Sequence, residues 1–154
     1  MQKIASVLAC PFTLAAGTLG GPFSLLGPAM SEALKTAPYV SLATFRRSGV
    51  AVATPVWAAE VDGAWYIFSA GNAGKVKRLR NSPQARLATC DARGGSPGDW
   101  HEATATLIDD GATIARAHAA LRRKYGWQMW LADIGSRLTG RMDKRQWIEV
   151  RLTN

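Results

Sequence analysis

The chain has 154 residues, 47% of them hydrophobic and 19% charged, a size and balance that suit one folded domain with a sizeable core. Its formal charge of +8 favours an anionic partner, which leaves nucleic acid, a membrane surface or a phosphorylated small molecule in play. Cys10 and Cys90 are far apart and unpatterned, so neither a disulfide framework nor a zinc site is indicated, in keeping with a reducing, cytoplasmic compartment.

Met1 to Met30 is apolar, broken by Pro11, Gly20-Gly21-Pro22 and Gly27-Pro28, and carries the single charge Lys3. The breaks cut the apolar run that a secretory signal needs, and no stretch approaches the roughly 20 apolar residues of a membrane span. Met30-Ser31-Glu32-Ala33-Leu34 reads like an ordinary N-terminus, so residues 1–30 are expected to be an apolar extension and residues 31–154 the folded domain. A short helix is expected from Ser31 to Ala37, capped by Ser31 and stopped by Pro38.

Tyr39 to Phe45 alternates as a strand, and Arg46-Arg47-Ser48-Gly49 is a hairpin turn leading into a returning strand, Val50 to Glu60. Pro55 within that strand cannot donate to a ladder and marks an edge, a bulge or an interruption. After the tight turn Val61 to Ala64 comes a strand, Trp65 to Ser69, and then a basic helix, Gly74-Lys75-Val76-Lys77-Arg78-Leu79-Arg80, stopped at Asn81-Ser82-Pro83. Strands Ala85 to Cys90 and His101 to Ile108 flank a Gly- and Pro-rich loop. Asp109-Asp110 caps a helix to about Tyr125 with a stripe of Ile114, His118, Leu121 and Tyr125; a helical segment from Trp127 to Leu138 and a strand from Gln146 to Leu152 complete the chain. This order, rich in hairpins, predicts an antiparallel barrel with helices across its openings.

The basic helix breaks a local rule. A helix N-terminus is positive and favours Asp or Glu, yet this one opens with cations and has no acid in its first turn. Its cations sit beside free N–H donors and the small residues Ala70, Gly71, Ala73 and Gly74, which together describe a phosphate seat. By contrast, Arg122-Arg123-Lys124 ends its helix and complements the dipole without needing a ligand.

The stretch Tyr39 to Phe45, the Ser48-Gly49 turn, Ala53-Thr54-Pro55-Val56-Trp57, the run Gly74 to Pro83 and the strand Ala85 to Cys90 resemble the pyridoxamine-phosphate-oxidase-like flavin and deazaflavin proteins. The branch most resembled is the one labelled as dependent on coenzyme F-420. The resemblance implies a mainly β split barrel with peripheral helices, of the FMN-binding type, and a homodimer with a cofactor, F-420 or FMN, in each of two clefts between subunits. It implies that Lys75 holds the cofactor phosphate, that Lys77 and Arg78 add phosphate or tail contacts, and that Ser69 reaches the same phosphate. Thr54, Pro55, Val56 and Trp57 are implied to lie against the ring system, with Val76 beside Lys75 in the phosphate turn.

The histidines His101 and His118 show no supporting nucleophile, and no metal spacing appears. His118 is expected in a core or interface, while His101 could sit at a pocket rim with Glu102 as its partner. The reading is therefore an F-420- or FMN-dependent oxidoreductase acting on a small organic substrate, with no nucleic acid or membrane partner; the arginine and histidine residues of a true pyridoxamine phosphate oxidase are not evident. The alternative is a non-catalytic protein that stores, carries or senses a flavin, a deazaflavin or haem.

Overall fold

The computed structural model describes residues 28–141 and 144–153, with side chains from residue 32 onward. The apolar extension through residue 27 and the capping side chain of Ser31 lie outside these residues. The first helix, α1 (Pro28–Thr36), starts three residues before the expected Ser31 and ends before Pro38. Strands β1 (Tyr39–Phe45) and β2 (Ala51–Val56) form the expected hairpin, with Leu42 facing Thr54 and Thr44 facing Val52. Gly49 takes φ 84° in the turn, a conformation that only glycine adopts at no steric cost.

The returning strand differs from the expectation. It breaks at Trp57 into β2 and β3 (Ala58–Val61), and β3 pairs with β4 (Ala64–Ala70) through an Asp62-Gly63 turn with both φ values positive. The helix α2 (Gly74–Leu79) follows, then β5 (Gln84–Cys90), β6 (His101–Ile108), α3 (Gly111–Tyr125), α4 (Trp127–Leu138) and β7 (Arg145–Leu152). All pairings are antiparallel, in the order β2-β1-β5-β6-β7-β4-β3.

Strands β2 and β3 are thus the two edges of one seven-stranded sheet, yet a single residue, Trp57, joins them. The sheet must therefore curl until its edges meet at Trp57, which gives a split barrel. Alternation sends Val40, Leu42, Val56, Trp65, Ile67, Leu87, Ile148 and Val150 inward, where Val76 and Leu79 of α2 join the same cluster. Each such fully buried side chain contributes about 1.5–3 kcal/mol.

On the outer face, Tyr66, Phe68 and Trp147 pack under α3 and α4. Asp110 caps α3 by accepting from the Thr113 amide at 2.8 Å. Leu121 and Tyr125 are buried as expected, together with Ala117 and Ala120. His118 lies at the margin of that stripe, with Nε2 2.8 Å from Asp133 Oδ2 on α4. Arg145 of β7 donates to Asp133 Oδ1 at 2.8 Å and to Ser136 Oγ at 2.6 Å, so one network ties α3, α4 and β7 together. Burial alone would raise the Asp133 carboxyl, but the hydrogen bonds from Arg145 and His118 outweigh it and hold the carboxyl below its usual range.

Candidate cofactor site

Ser69 is buried near the end of β4, and Ala70-Gly71-Asn72-Ala73 carries the chain into α2. Ala73 takes the N-cap position with an extended backbone and no side-chain cap. The Lys77 amide donates to the Ala73 carbonyl at 3.1 Å, while the amides of Gly74, Lys75 and Val76 have no acceptor among the described residues. Val76 and Leu79 turn into the barrel, so Val76 can offer a ligand only its backbone amide.

Lys75 and Arg78 flank that buried face. Lys75 Nζ donates to Ser69 Oγ at 3.2 Å, and Arg78 Nε donates to Thr44 Oγ1 at 2.8 Å. Burial, and then the charge of Arg78, lower the pKa of Lys75. Burial and the charge of Arg46 likewise lower that of Arg78. Neither cation forms a salt bridge among the described residues. The bare Cα of Gly74 leaves room for the guanidinium, since a Cβ there would lie 2.9 Å from Arg78 Nη1. Two half-buried cations, a third nearby and two hydroxyls without a carboxylate make an environment that an anion would stabilise.

The structure brings Thr54 near this cluster. Thr54 shares a face of β2 with Val52, which lies opposite Thr44, so it is one pleat repeat, about 7 Å, from the position beside the Arg78 contact. Pro55 points to the other face, where a Cβ on Gly94 would come 3.2 Å from its Cδ. Val56 is buried in the barrel.

Trp57 goes elsewhere. Its ring stacks on Tyr125 with centroids 4.9 Å apart and meets Phe68 edge-on. Phe68 and Ser69 are successive residues of β4 and point to opposite faces, so Trp57 and Lys75 lie on opposite sides of that strand. The Tyr125 hydroxyl accepts from the Ala58 amide at 3.1 Å and donates to the Pro38 carbonyl at 3.0 Å. Lys124 Nζ donates to the Ala58 carbonyl at 2.7 Å. Burial pushes Tyr125 up to about 12 and Lys124 down to about 8.

Lys77 and Arg80 face away from Lys75 and line a cleft of about 630 Å³ with Asn72, Thr139, Arg141 and Lys144. Thr44 and Arg46 join the cluster around Arg78, and the sequence alone does not single them out. Thr44 looks like any member of an alternating strand, and only its burial reveals a hydroxyl with a job to do. Glu102, considered as a partner for His101, instead pairs with Arg86.

No curated protein sequence matches the chain. Among solved structures, a conserved hypothetical protein from Mycobacterium tuberculosis superimposes with TM-score 0.61 at 17% identity, covering 83% of this chain and 84% of that one. The haem storage protein HutZ from Vibrio cholerae gives TM-score 0.62 at 11% identity, with 84% and 91% covered. An FAD-binding protein from Mesorhizobium loti gives 0.53 at 13% identity, with 80% and 85% covered. At these identities the similarity establishes the fold. The family model for pyridoxamine 5'-phosphate oxidase matches residues 26–154, and the chain belongs to that family.

Proposed function

We propose that the chain is an oxidoreductase that binds F-420 or FMN and passes hydride between it and a small organic substrate. The observation that carries this reading is the pair Lys75 and Arg78, half-buried, hydrogen-bonded to Ser69 and Thr44, and without a carboxylate partner among the described residues. A cofactor phosphate would supply the missing negative charge and accept from both cations, from the Ser69 hydroxyl and from the free amides at the start of α2. Thr54, on the adjoining face of β2, would lie along the ring system.

When bound, such a cofactor supplies the hydride chemistry. The residues of this chain bind and orient it, and the barrel edge at β2 sets which face stays open to substrate. Between the two cofactors, the cleft of Lys77, Arg80, Arg141 and Lys144 favours F-420. Its cations have no carboxylate partner among the described residues, and its lining begins at Ala70, next to Ser69 in the chain, where an acidic tail would extend from the phosphate. The site is proposed to be completed by a second copy of the chain, because β2 is an unpaired edge beside the cation cluster.

The test is an absorbance and fluorescence titration of the purified protein with F-420 and with FMN, repeated on Lys75→Ala. At least one cofactor is expected to bind, with affinity reduced about tenfold or more by the substitution. No binding of either, or an unchanged affinity in the variant, overturns the assignment. The structural similarity to a haem storage protein keeps a carrier reading in view. Cofactor that binds but is never reduced or oxidised by any of a panel of nitro, quinone and enone substrates would favour it.

A further inference from the structure

Among the described residues no helix is long and apolar enough to cross a membrane, but α4 has the form of a helix that lies on one. Its inner face, Met129 and Asp133, is buried against the rest of the fold. Its outer face carries Trp127, Trp130, Leu131 and Leu138, exposed by 68%, 54%, 49% and 83%, with Ile134 half-buried between them. These positions recur at i, i+3, i+4, i+7 and i+11, which is one continuous stripe along a helix of about 3.6 residues per turn. Single exposed apolar residues are ordinary on a soluble protein; four in one stripe, continued by a half-buried fifth, are the mark of an interaction surface.

Charge decides what covers it. The only acid on α4 is Asp133, and it faces inward to His118 and Arg145. Arg137 shares α4 with the stripe, Arg141 follows the helix by three residues and Arg122 precedes it in the last turn of α3; all are exposed and none is in an ion pair among the described residues. Two copies joined face to face through this stripe would bring those cations toward each other, in a chain already at +8. An anionic lipid surface accepts both features at once. Indole rings prefer the headgroup level, leucines reach the acyl boundary, and each cation near a negatively charged leaflet adds its own attraction.

We propose that the outer face of α4 docks on the surface of an anionic bilayer, with Trp127, Trp130, Leu131 and Leu138 entering the interface and Arg122, Arg137 and Arg141 meeting the headgroups. The expected absence of a membrane partner rested on the lack of a spanning segment, which does not bear on a helix lying flat. Apart from Arg141, which also lines the cleft proposed for the cofactor tail, the docking residues are distinct from the cluster at Lys75, and the proposal does not depend on that cluster.

The experiment is co-sedimentation of the full chain with vesicles of phosphatidylglycerol and phosphatidylcholine, against vesicles of phosphatidylcholine alone, with light scattering in parallel. Binding to the mixed vesicles is expected, weakening with salt, and absent on phosphatidylcholine alone. The double variant Trp127→Gln, Trp130→Gln should lose it while keeping its thermal unfolding midpoint, since both side chains are exposed. The triple variant Arg122→Gln, Arg137→Gln, Arg141→Gln should weaken it about a hundredfold. Binding that survives the tryptophan variant overturns the proposal. So does an absence of binding to mixed vesicles, including the case where light scattering shows a dimer that the tryptophan variant dissociates, which would assign the stripe to a second copy.

Discussion

Lys75 shows at the scale of one residue how a site can be costly to the fold that holds it. Its ammonium is half-buried, meets one hydroxyl and feels Arg78 on the same side, so the charged form is disfavoured in the ligand-free protein. The sign of the linkage follows. With the folded pKa lowered, the unfolded chain binds more protons in the window between the folded value and the ordinary lysine value. Stability therefore rises with pH across that window, and below it the penalty is present in full. Lys75→Met keeps the aliphatic stem and removes the charge. At neutral pH the variant is expected to melt at a higher temperature than the parent without cofactor, while its affinity for F-420 or FMN falls about ten- to a hundredfold. Calorimetry and titration on the same two proteins check both halves. A variant that melts lower would show that the ammonium stabilises the empty fold and that no anion is needed to explain it.

At the scale of elements, the break between β2 and β3 controls the barrel, and the end of α3 holds it. The Tyr125 hydroxyl bonds the Ala58 amide, Lys124 bonds the Ala58 carbonyl, and the Tyr125 ring backs Trp57, so the peptide at which the sheet changes edges is held from one side. Tyr125→Phe would keep the ring stack and leave the buried Ala58 amide without its acceptor. A loss of about 1–3 kcal/mol is expected in urea unfolding, with the slope unchanged. A loss within experimental error would mean that Ala58 finds another partner and that the clamp is not what fixes the break. Much else at this scale was legible in the chain. The β1–β2 hairpin, the limits of β6, the Asp110 cap and the α4 span all follow from alternation, turn residues and capping chemistry. The break was legible only in part: Pro55 marks an edge or an interruption, and β2 is an edge, but Val50 to Glu60 otherwise reads as one strand, and which edge each half joins depends on pairings distant in sequence. The same limit applies to the site. The missing acid at the start of α2 pointed to Lys75, but Thr44 and Arg46 reach the cluster only through the pairing of β1 and the packing of α2 upon it. The direction of Trp57 was set by the α3 helix end, on which the strand pattern is silent.

For the whole molecule, the question is whether one chain makes a complete site. The cation cluster sits where α2 meets β1, and the neighbouring strand β2 is an edge with Ala51 and Ala53 exposed and Thr54 and Pro55 half-exposed. A tricyclic ring laid along Thr54 would thus be covered on one side only, which is poor shelter for a planar apolar group. A second copy placed against this edge would supply the other wall, and symmetry would give two equivalent sites. Thermodynamic linkage then makes a measurable demand: if cofactor touches both copies, it binds the dimer better than the monomer, and must tighten the dimer by the same factor. Light scattering over a dilution series is expected to show a dimer whose dissociation shifts to lower protein concentration when F-420 or FMN is present. In Lys75→Ala the dimer should remain, and the shift should shrink with the lost affinity. A chain that stays monomeric at saturating cofactor while binding it fully would show that the edge of β2 needs no second copy, and that the barrel mouth of one chain is the entire site.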